Sequence, residues 1–244
     1  MEGYVQLENG LLLSALGKWL RTKERRFSHR LVFVPETIGA VAYINRNFEV
    51  LKERTIAGFV LTCVGDENGF SFLPSRRGNT LTDRICRHVL YYAVGEYREY
   101  SFLDRGSDER QYCSPGVDLP VASIMRSKYG EYPEYHTSAD DLSFVTPGGL
   151  QESFEIYQMC LDALERNEVY RTACCCEPQL GKRGLYPTLS TKNSAKEVRT
   201  MMNLLSLADG ETDLLDIAER LDVGMWELYS LVDILIAHDL LLRM

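Results

Sequence analysis

No stretch of this sequence approaches the roughly 18 consecutive apolar residues that a membrane-crossing helix needs, so helical membrane spans are not expected. Met1-Glu2-Gly3-Tyr4 shows no basic region followed by an apolar stretch, and no secretory signal is read there. Positive charge is scarce: 27 Lys and Arg stand against 35 Asp and Glu, a formal −8 over 244 residues. That balance speaks against general affinity for nucleic acid or for an anionic membrane surface. No internal repeat is present, and no low-complexity tract beyond one short cysteine run. With 45% hydrophobic and 25% charged residues the composition is that of a folded domain, not of a disordered chain or a fibrous rod.

Seven cysteines are an odd number for a disulfide framework, and with no export signal they read as reduced thiols of a cytoplasmic protein. Cys174-Cys175-Cys176 are consecutive. Zinc thiolate sites usually use spaced pairs, and adjacent residues do not converge easily on one tetrahedral ion. The run therefore reads as structural or linker sequence.

Leu12, Leu13, Leu16, Trp19 and Leu20 recur at helical spacing before a polar cluster at 21–25. Leu31-Val32-Phe33-Val34 has the form of a short buried strand stopped by Pro35, and Ile38 to Ile44 reads as a helix start. Further strands are expected over Ile56–Val64, Gly69–Leu73, Arg98–Leu103 and Leu119–Met125. A surface helix is expected over Thr82–Val94, and a long amphipathic one over Gly149–Arg166. Short strands alternating with helices predict an α/β class with a layered sheet, whose loops at the carboxyl ends of strands are the usual place for chemistry.

Residues 172–193 carry Pro178, Gly181, Gly184 and Pro187 without a clear period and read as a linker or strap. Helices over Lys196–Leu207, Leu214–Leu221 and Met225–Leu240, punctuated by Gly210 and Asp222-Val223-Gly224, predict a small winged helix-turn-helix unit. The expected divisions are 1–172, 173–193 and 194–244. From Ser194 onward four basic residues face ten acidic ones, a net −6. Phosphate contacts need cations, so packing on the main domain or on a partner protein is the expected role and nucleic-acid binding is not.

The stretches richest in chemistry are Gly106-Ser107-Asp108-Glu109-Arg110-Gln111-Tyr112-Cys113-Ser114-Pro115-Gly116 and Glu134-Tyr135-His136-Thr137-Ser138-Ala139-Asp140-Asp141. A histidine with carboxylates nearby reads either as the start of a zinc site or as a hydrogen-bonded loop histidine. Glu36, just after an apolar run, reads either as a general base or as an acid stabilised at a helix N-terminus.

Tyr135-His136-Thr137-x-x-Asp140 resembles the late metal-binding motif of zinc aminopeptidases related to bacterial leucyl aminopeptidase and glutaminyl cyclase. Ser107-Asp108 resembles their Ser-Asp-His loop with Glu109 in place of the His, and Phe33-Val34-Pro35-Glu36-Thr37-Ile38-Gly39 resembles their Glu-Glu-x-Gly motif. More closely, the chain from about Leu11 onward is similar to the C-terminal portion of bacterial aminopeptidase-like domain proteins associated with polysaccharide biosynthesis. The Asp108–Gly116 run, the Cys176–Tyr186 run and a terminal winged helix carry that likeness.

The resemblance implies an N-terminally shortened member: a mixed sheet with flanking helices plus a C-terminal winged helix. It implies zinc, with metal-activated water attacking a peptide or amide substrate. His136 would be a zinc ligand, Asp108 a metal-shell or substrate-loop acid, and Glu36 the general base. Glu109, Arg110 and Tyr135 would position the substrate's charged ends. The departures are specific. The family's early His has no counterpart, Leu7-Glu8-Asn9-Gly10 stands where an Asp-Asn-x-Ser-Gly motif is expected, and Thr37 and Thr62 replace acids. A non-catalytic remnant serving in assembly is the alternative. An open sheet edge in a shortened domain would favour pairing with another copy or a partner protein.

Overall fold

Phe70-Ser71-Phe72-Leu73 and Val121-Ala122-Ser123-Ile124-Met125 are buried at every residue. Strands buried on both faces need helices on both sides, and the architecture follows from that. The computed structural model describes residues 7–185 and 192–244. The chain divides into two units, Met1–Leu161 and Asp162–Met244.

In chain order the first unit contains α1 (Leu7–Leu20), α2 (Ile38–Arg54), β1 (Gly58–Phe59), β2 (Phe70–Leu73) and α3 (Leu81–Val89) with a π-helical turn at Leu90–Val94. These are followed by β3 (Tyr97–Glu99), the one-turn α4 (Glu109–Tyr112), β4 (Val121–Met125) and α5 (Pro147–Arg166). The four strands form a mixed sheet in the order β1-β4-β2-β3. β1 runs parallel to β4 and β3 parallel to β2, while β2 and β4 are antiparallel, with Phe72 opposite Ile124. The α/β class, the mixed sheet and the flanking helices agree with the sequence expectation.

Polar groups tie the helices to the sheet. Tyr157 on α5 donates to the Ile124 carbonyl at 2.7 Å, and Ser153 to the Val64 carbonyl at 2.7 Å. Thr82 on α3 donates to the Pro120 carbonyl at 2.7 Å. The wholly buried Asp83 accepts from the backbone and hydroxyl groups of both Ser75 and Thr80, which caps α3 and satisfies a carboxylate that would otherwise be costly to bury.

Two local expectations are corrected. Leu31–Val34 forms no strand: residues 28–35 take no ladder pairing, and Phe33 is 59% exposed. Four apolar residues become a strand only where a neighbouring strand offers its N–H and C=O groups. The Thr82–Val94 helix is not a surface helix, because Thr82, Asp83, Ile85, Cys86, His88, Val89 and Leu90 are all buried.

The second unit begins upstream of the expected boundary at 172. It contains β5 (Val169–Thr172), a 3-10 turn at Leu180–Arg183, α6 (Lys192–Leu207), β6 (Asp209–Asp213), α7 (Leu214–Leu221), a 3-10 turn at Met225–Leu228, α8 (Tyr229–Ala237) and β7 (Leu241–Arg243). Its antiparallel sheet has the order β6-β5-β7, so β5 is the central strand. Leu204, Leu214, Leu215, Ile217, Met225, Leu228 and Leu235 are among its buried core residues. All seven cysteines are free, and Cys175 and Cys176 are exposed. Tyr186, the last residue of the Cys176–Tyr186 run, and the N-terminal Met1–Tyr4 lie outside the described residues. Among the described residues no helix is long and apolar enough to cross a membrane.

Candidate functional site

The turn before α2 sits against the turn that opens α4. Thr37 adopts φ 63° and ψ −72°, a positive-φ tight-turn conformation closed by the Ile38 N–H on the Glu36 carbonyl at 2.7 Å and costly for a β-branched residue. Its N–H donates to Asp108 Oδ1 at 2.7 Å, and its hydroxyl accepts from Arg110 at 2.7 Å. Burial pushes the Asp108 carboxyl up, the Thr37 N–H pulls it down, and Glu36 and Glu109 raise it further. Glu36, Asp108 and Arg110 are thus gathered in one neighbourhood, with Glu36 exposed.

Glu109 is placed differently from its neighbours. It is 0% exposed, and its Oε1 accepts from the N–H groups of Gly106 and Ser107 and from the Tyr129 hydroxyl, all at 2.8–2.9 Å. The Tyr129 hydroxyl in turn accepts from the Gly106 N–H at 2.6 Å. This carboxylate fastens the 106–109 turn from inside and presents no exposed surface to a ligand.

His136 is exposed and takes φ 57°. Its ring stacks on that of Tyr135, 4.0 Å apart and 17° from parallel. Tyr135 packs against Tyr132 in an edge-on contact and lies beside the cluster of Cys63, Leu73, Met125 and Tyr129. Burial raises the Tyr135 phenol, as do Cys63 and Glu36, whereas Arg110 lowers it. Tyr135 is therefore within electrostatic reach of the turns that carry Glu36 and Arg110.

Beneath these loops lie three buried acids. Glu8 on α1 is pushed up to about 7 by burial, then by the charges of Asp140 and Asp66. Asp140 is raised by burial and lowered by His136; its Oδ2 has no hydrogen-bond partner among the described residues. Asp66 is satisfied, accepting from the Asn68 N–H at 2.9 Å and from the Ser127 N–H and hydroxyl, both at 3.0 Å. Cys63, at φ 50°, receives the Tyr132 hydroxyl at 3.4 Å, and burial pushes its thiol up to about 11.

Asp140 and Glu8 fall within motifs legible in the sequence, but Cys63 and Asp66 do not. The only sequence signal for the latter pair is their place at the end of the apolar run 56–64. Among the described residues, three of the six non-glycine residues with positive φ are Thr37, Cys63 and His136, all in this region, where backbone strain commonly marks functional segments.

A catalytic zinc usually takes about three protein ligands. Among the described residues no group of three His, Cys, Asp or Glu side chains is disposed to hold a metal ion. Glu109 is turned inward, and Thr37 and Thr62 offer no carboxylate. The donor set of the described residues therefore does not fit a self-sufficient zinc site.

A Clostridium acetobutylicum protein, provisionally named a polysaccharide biosynthesis protein with an aminopeptidase-like domain, is 38% identical over 211 residues, covering 86% of this chain and 48% of that protein. The chain thus spans about half the length of that curated relative. A crystal structure from the same organism, provisionally named a peptidase, superposes with a TM-score of 0.90 at 34% identity, covering 99% of this chain and 54% of the other. A zinc aminopeptidase from Bacillus subtilis matches in fold with a TM-score of 0.52 at 14% identity, over 66% of this chain and 42% of the other. Residues 168–243 match the winged helix-turn-helix family, in keeping with the α6-β6-α7-α8-β7 order. Residues 7–167 match the domain of unknown function DUF4910, so the chain belongs to that family and carries an aminopeptidase-like α/β domain followed by a winged helix.

Proposed function

We propose that this chain acts as a non-catalytic aminopeptidase-like scaffold in assembly or protein interaction, within the polysaccharide-related process for which its Clostridium relative is named. One observation carries the proposal: no three side chains of metal-binding type gather among the described residues. The apolar side chains left exposed on α1, on the 31–34 segment and on α2 support it; Phe33, Ile38 and Val41 are 59%, 77% and 48% exposed. Exposed apolar surface of this kind favours a binding role. Zinc titration by calorimetry, with metal analysis of the purified chain and an aminoacyl anilide assay, tests the proposal. Weak, substoichiometric zinc and no hydrolysis are expected. Stoichiometric zinc with hydrolysis overturns it.

A second reading, a zinc-dependent hydrolase of peptide or amide bonds, is favoured by a separate observation. The charge of Asp140 helps raise the buried Glu8 carboxyl, the field of His136 reaches Asp140, and Asp140 Oδ2 has no hydrogen-bond partner among the described residues. In that reading His136 and Asp108 contribute to the metal shell and Glu36 is the base. Glu109 then serves indirectly, through the 106–109 turn, while Arg110 and Tyr135 face the substrate. If zinc binds, His136→Ala is expected to abolish its retention.

A further inference from the structure

Arg126 follows directly on β4, and its side chain is 4% exposed. Its guanidinium lies over the Phe70 ring, 4.2 Å from the centroid, and one terminal nitrogen donates to Glu152 at 2.6 Å. The Nε–H is itself buried and has no hydrogen-bond partner among the described residues. A buried charged donor left unpaired is costly, and Arg126 lines an open cleft of about 450 Å³ beside β2 and β3.

The same cleft is lined by Arg98, Lys128, Tyr97 and Tyr100. Lys128 Nζ lies 5.2 Å from the Tyr100 ring centroid and 4.5 Å from that of Tyr129, and bonds only a backbone carbonyl, that of Tyr129 at 3.3 Å. Among the described residues it has no carboxylate partner. Arg98 pairs with Glu131 at 3.0 Å, and Glu131 also accepts the Tyr100 hydroxyl at 2.6 Å. Three cations meet the acids Glu96 and Glu131 at the cleft, and Glu152 pairs Arg126, so the charges there balance in a chain of net charge −8 and Lys128 is the cation left without an acid.

We propose that this cleft binds a small organic phosphate monoester. The phosphoryl oxygens accept from Lys128 and from the free Arg126 Nε–H, with Arg98 at the rim, and the body of the ligand lies against Tyr97 and Tyr100. A phosphoryl group offers three acceptor oxygens and close to two negative charges, which suits donors spread over three side chains. Tyrosine faces with polar edges suit a ring or hydroxylated body. Nothing in this site depends on zinc.

Calorimetric titration of the full chain with ribose 5-phosphate, inorganic phosphate and unphosphorylated ribose tests the proposal. Saturable 1:1 binding of the monoester is expected, weaker for inorganic phosphate, absent for ribose, and falling as salt is raised. Lys128→Gln, a partly exposed position, should weaken binding by about tenfold or more, as should Arg126→Lys if that variant folds. Lys52→Gln, on α2 outside the cleft, should leave binding unchanged. Absence of saturable monoester binding by the native chain, or equal affinity in the Lys128→Gln variant, overturns the proposal.

Discussion

The Thr37 N–H donates to Asp108 Oδ1 across 71 residues of sequence, and with the Arg110 bond to the Thr37 hydroxyl it ties the Glu36 turn to the α4 turn. Holding Thr37 at φ 63° costs about 1–2 kcal/mol of backbone strain, so the acceptor must offset it. Asp108→Ala is expected to lower stability by about 1–3 kcal/mol, seen as a lower urea midpoint with an unchanged slope. An unshifted midpoint would show that the turn is held by other contacts.

Glu109 receives three donors on one oxygen while wholly buried. Glu109→Ala strands the Ser107 N–H and the Tyr129 hydroxyl proton, while the Gly106 N–H keeps the Tyr129 oxygen as acceptor, at an expected cost of about 2 kcal/mol or more. Glu109→Gln keeps one acceptor oxygen and should cost less. Thermal unfolding followed by circular dichroism ranks the two, and the reverse order would contradict the assigned role.

Two buried groups give stability opposite pH dependences. The Glu8 carboxyl stands at about 7 against an ordinary 4.5, so the folded state holds its proton longer than the unfolded chain. The stability this gives is full below about 4.5 and is lost as pH rises through about 7. His88, brought down to about 4 from 6.5 by burial and by Arg84, contributes stability that is full above 6.5 and lost as pH falls toward 4. Between these limits the two trends partly cancel. Glu8→Gln should therefore raise the melting temperature at pH 8, by the equivalent of at most about 3 kcal/mol, and do little at pH 5. An equal change at both pH values would rule this out.

Gly149 stands in the first turn of α5, where a Cβ would collide with the carbonyl oxygens of Gly65 and Asp66. Backbone atoms cannot step aside as the end of a flexible side chain can. Gly149→Ala is expected to cost about 2 kcal/mol or more and to displace the Asp66 loop. A crystal structure of the variant with the loop unmoved and stability unchanged would contradict this.

The helix of the second unit that takes the recognition position, α8, carries no Lys or Arg, and its Asp233 is paired with Arg166 at 2.7 Å. Fluorescence anisotropy with random duplex DNA at physiological salt is expected to stay flat, since the cations that contact phosphate are missing. A saturable, salt-sensitive rise would assign this helix to nucleic acid after all.

Elements whose own residues carry a period are legible in the sequence. The helix expected over Gly149–Arg166 is α5, at Pro147–Arg166. The helix expected over Leu214–Leu221 is α7 with the same bounds, because Leu214, Leu215, Ile217 and Ala218 mark its inner face. The Leu31–Val34 run misleads because strand formation depends on a neighbour that local composition does not reveal. Around the candidate site, Asp108, Arg110, Tyr135 and His136 stand out as residue types in loops. Cys63 and Asp66 do not, since each looks ordinary until the 126–140 loops fold over it.

Composition, periodicity and motif are enough to determine the α/β class, the winged helix and its acidic balance, because these depend on which residues are near each other in sequence. Tertiary structure alone decides that Glu109 faces inward to Tyr129 while His136 faces outward, that Glu8 and Asp140 share a buried neighbourhood, and that β5 is the central strand of the second sheet. Each of these rests on desolvation and on donors supplied by segments far apart along the chain, and pairing over such distances is set by packing, not by local propensity.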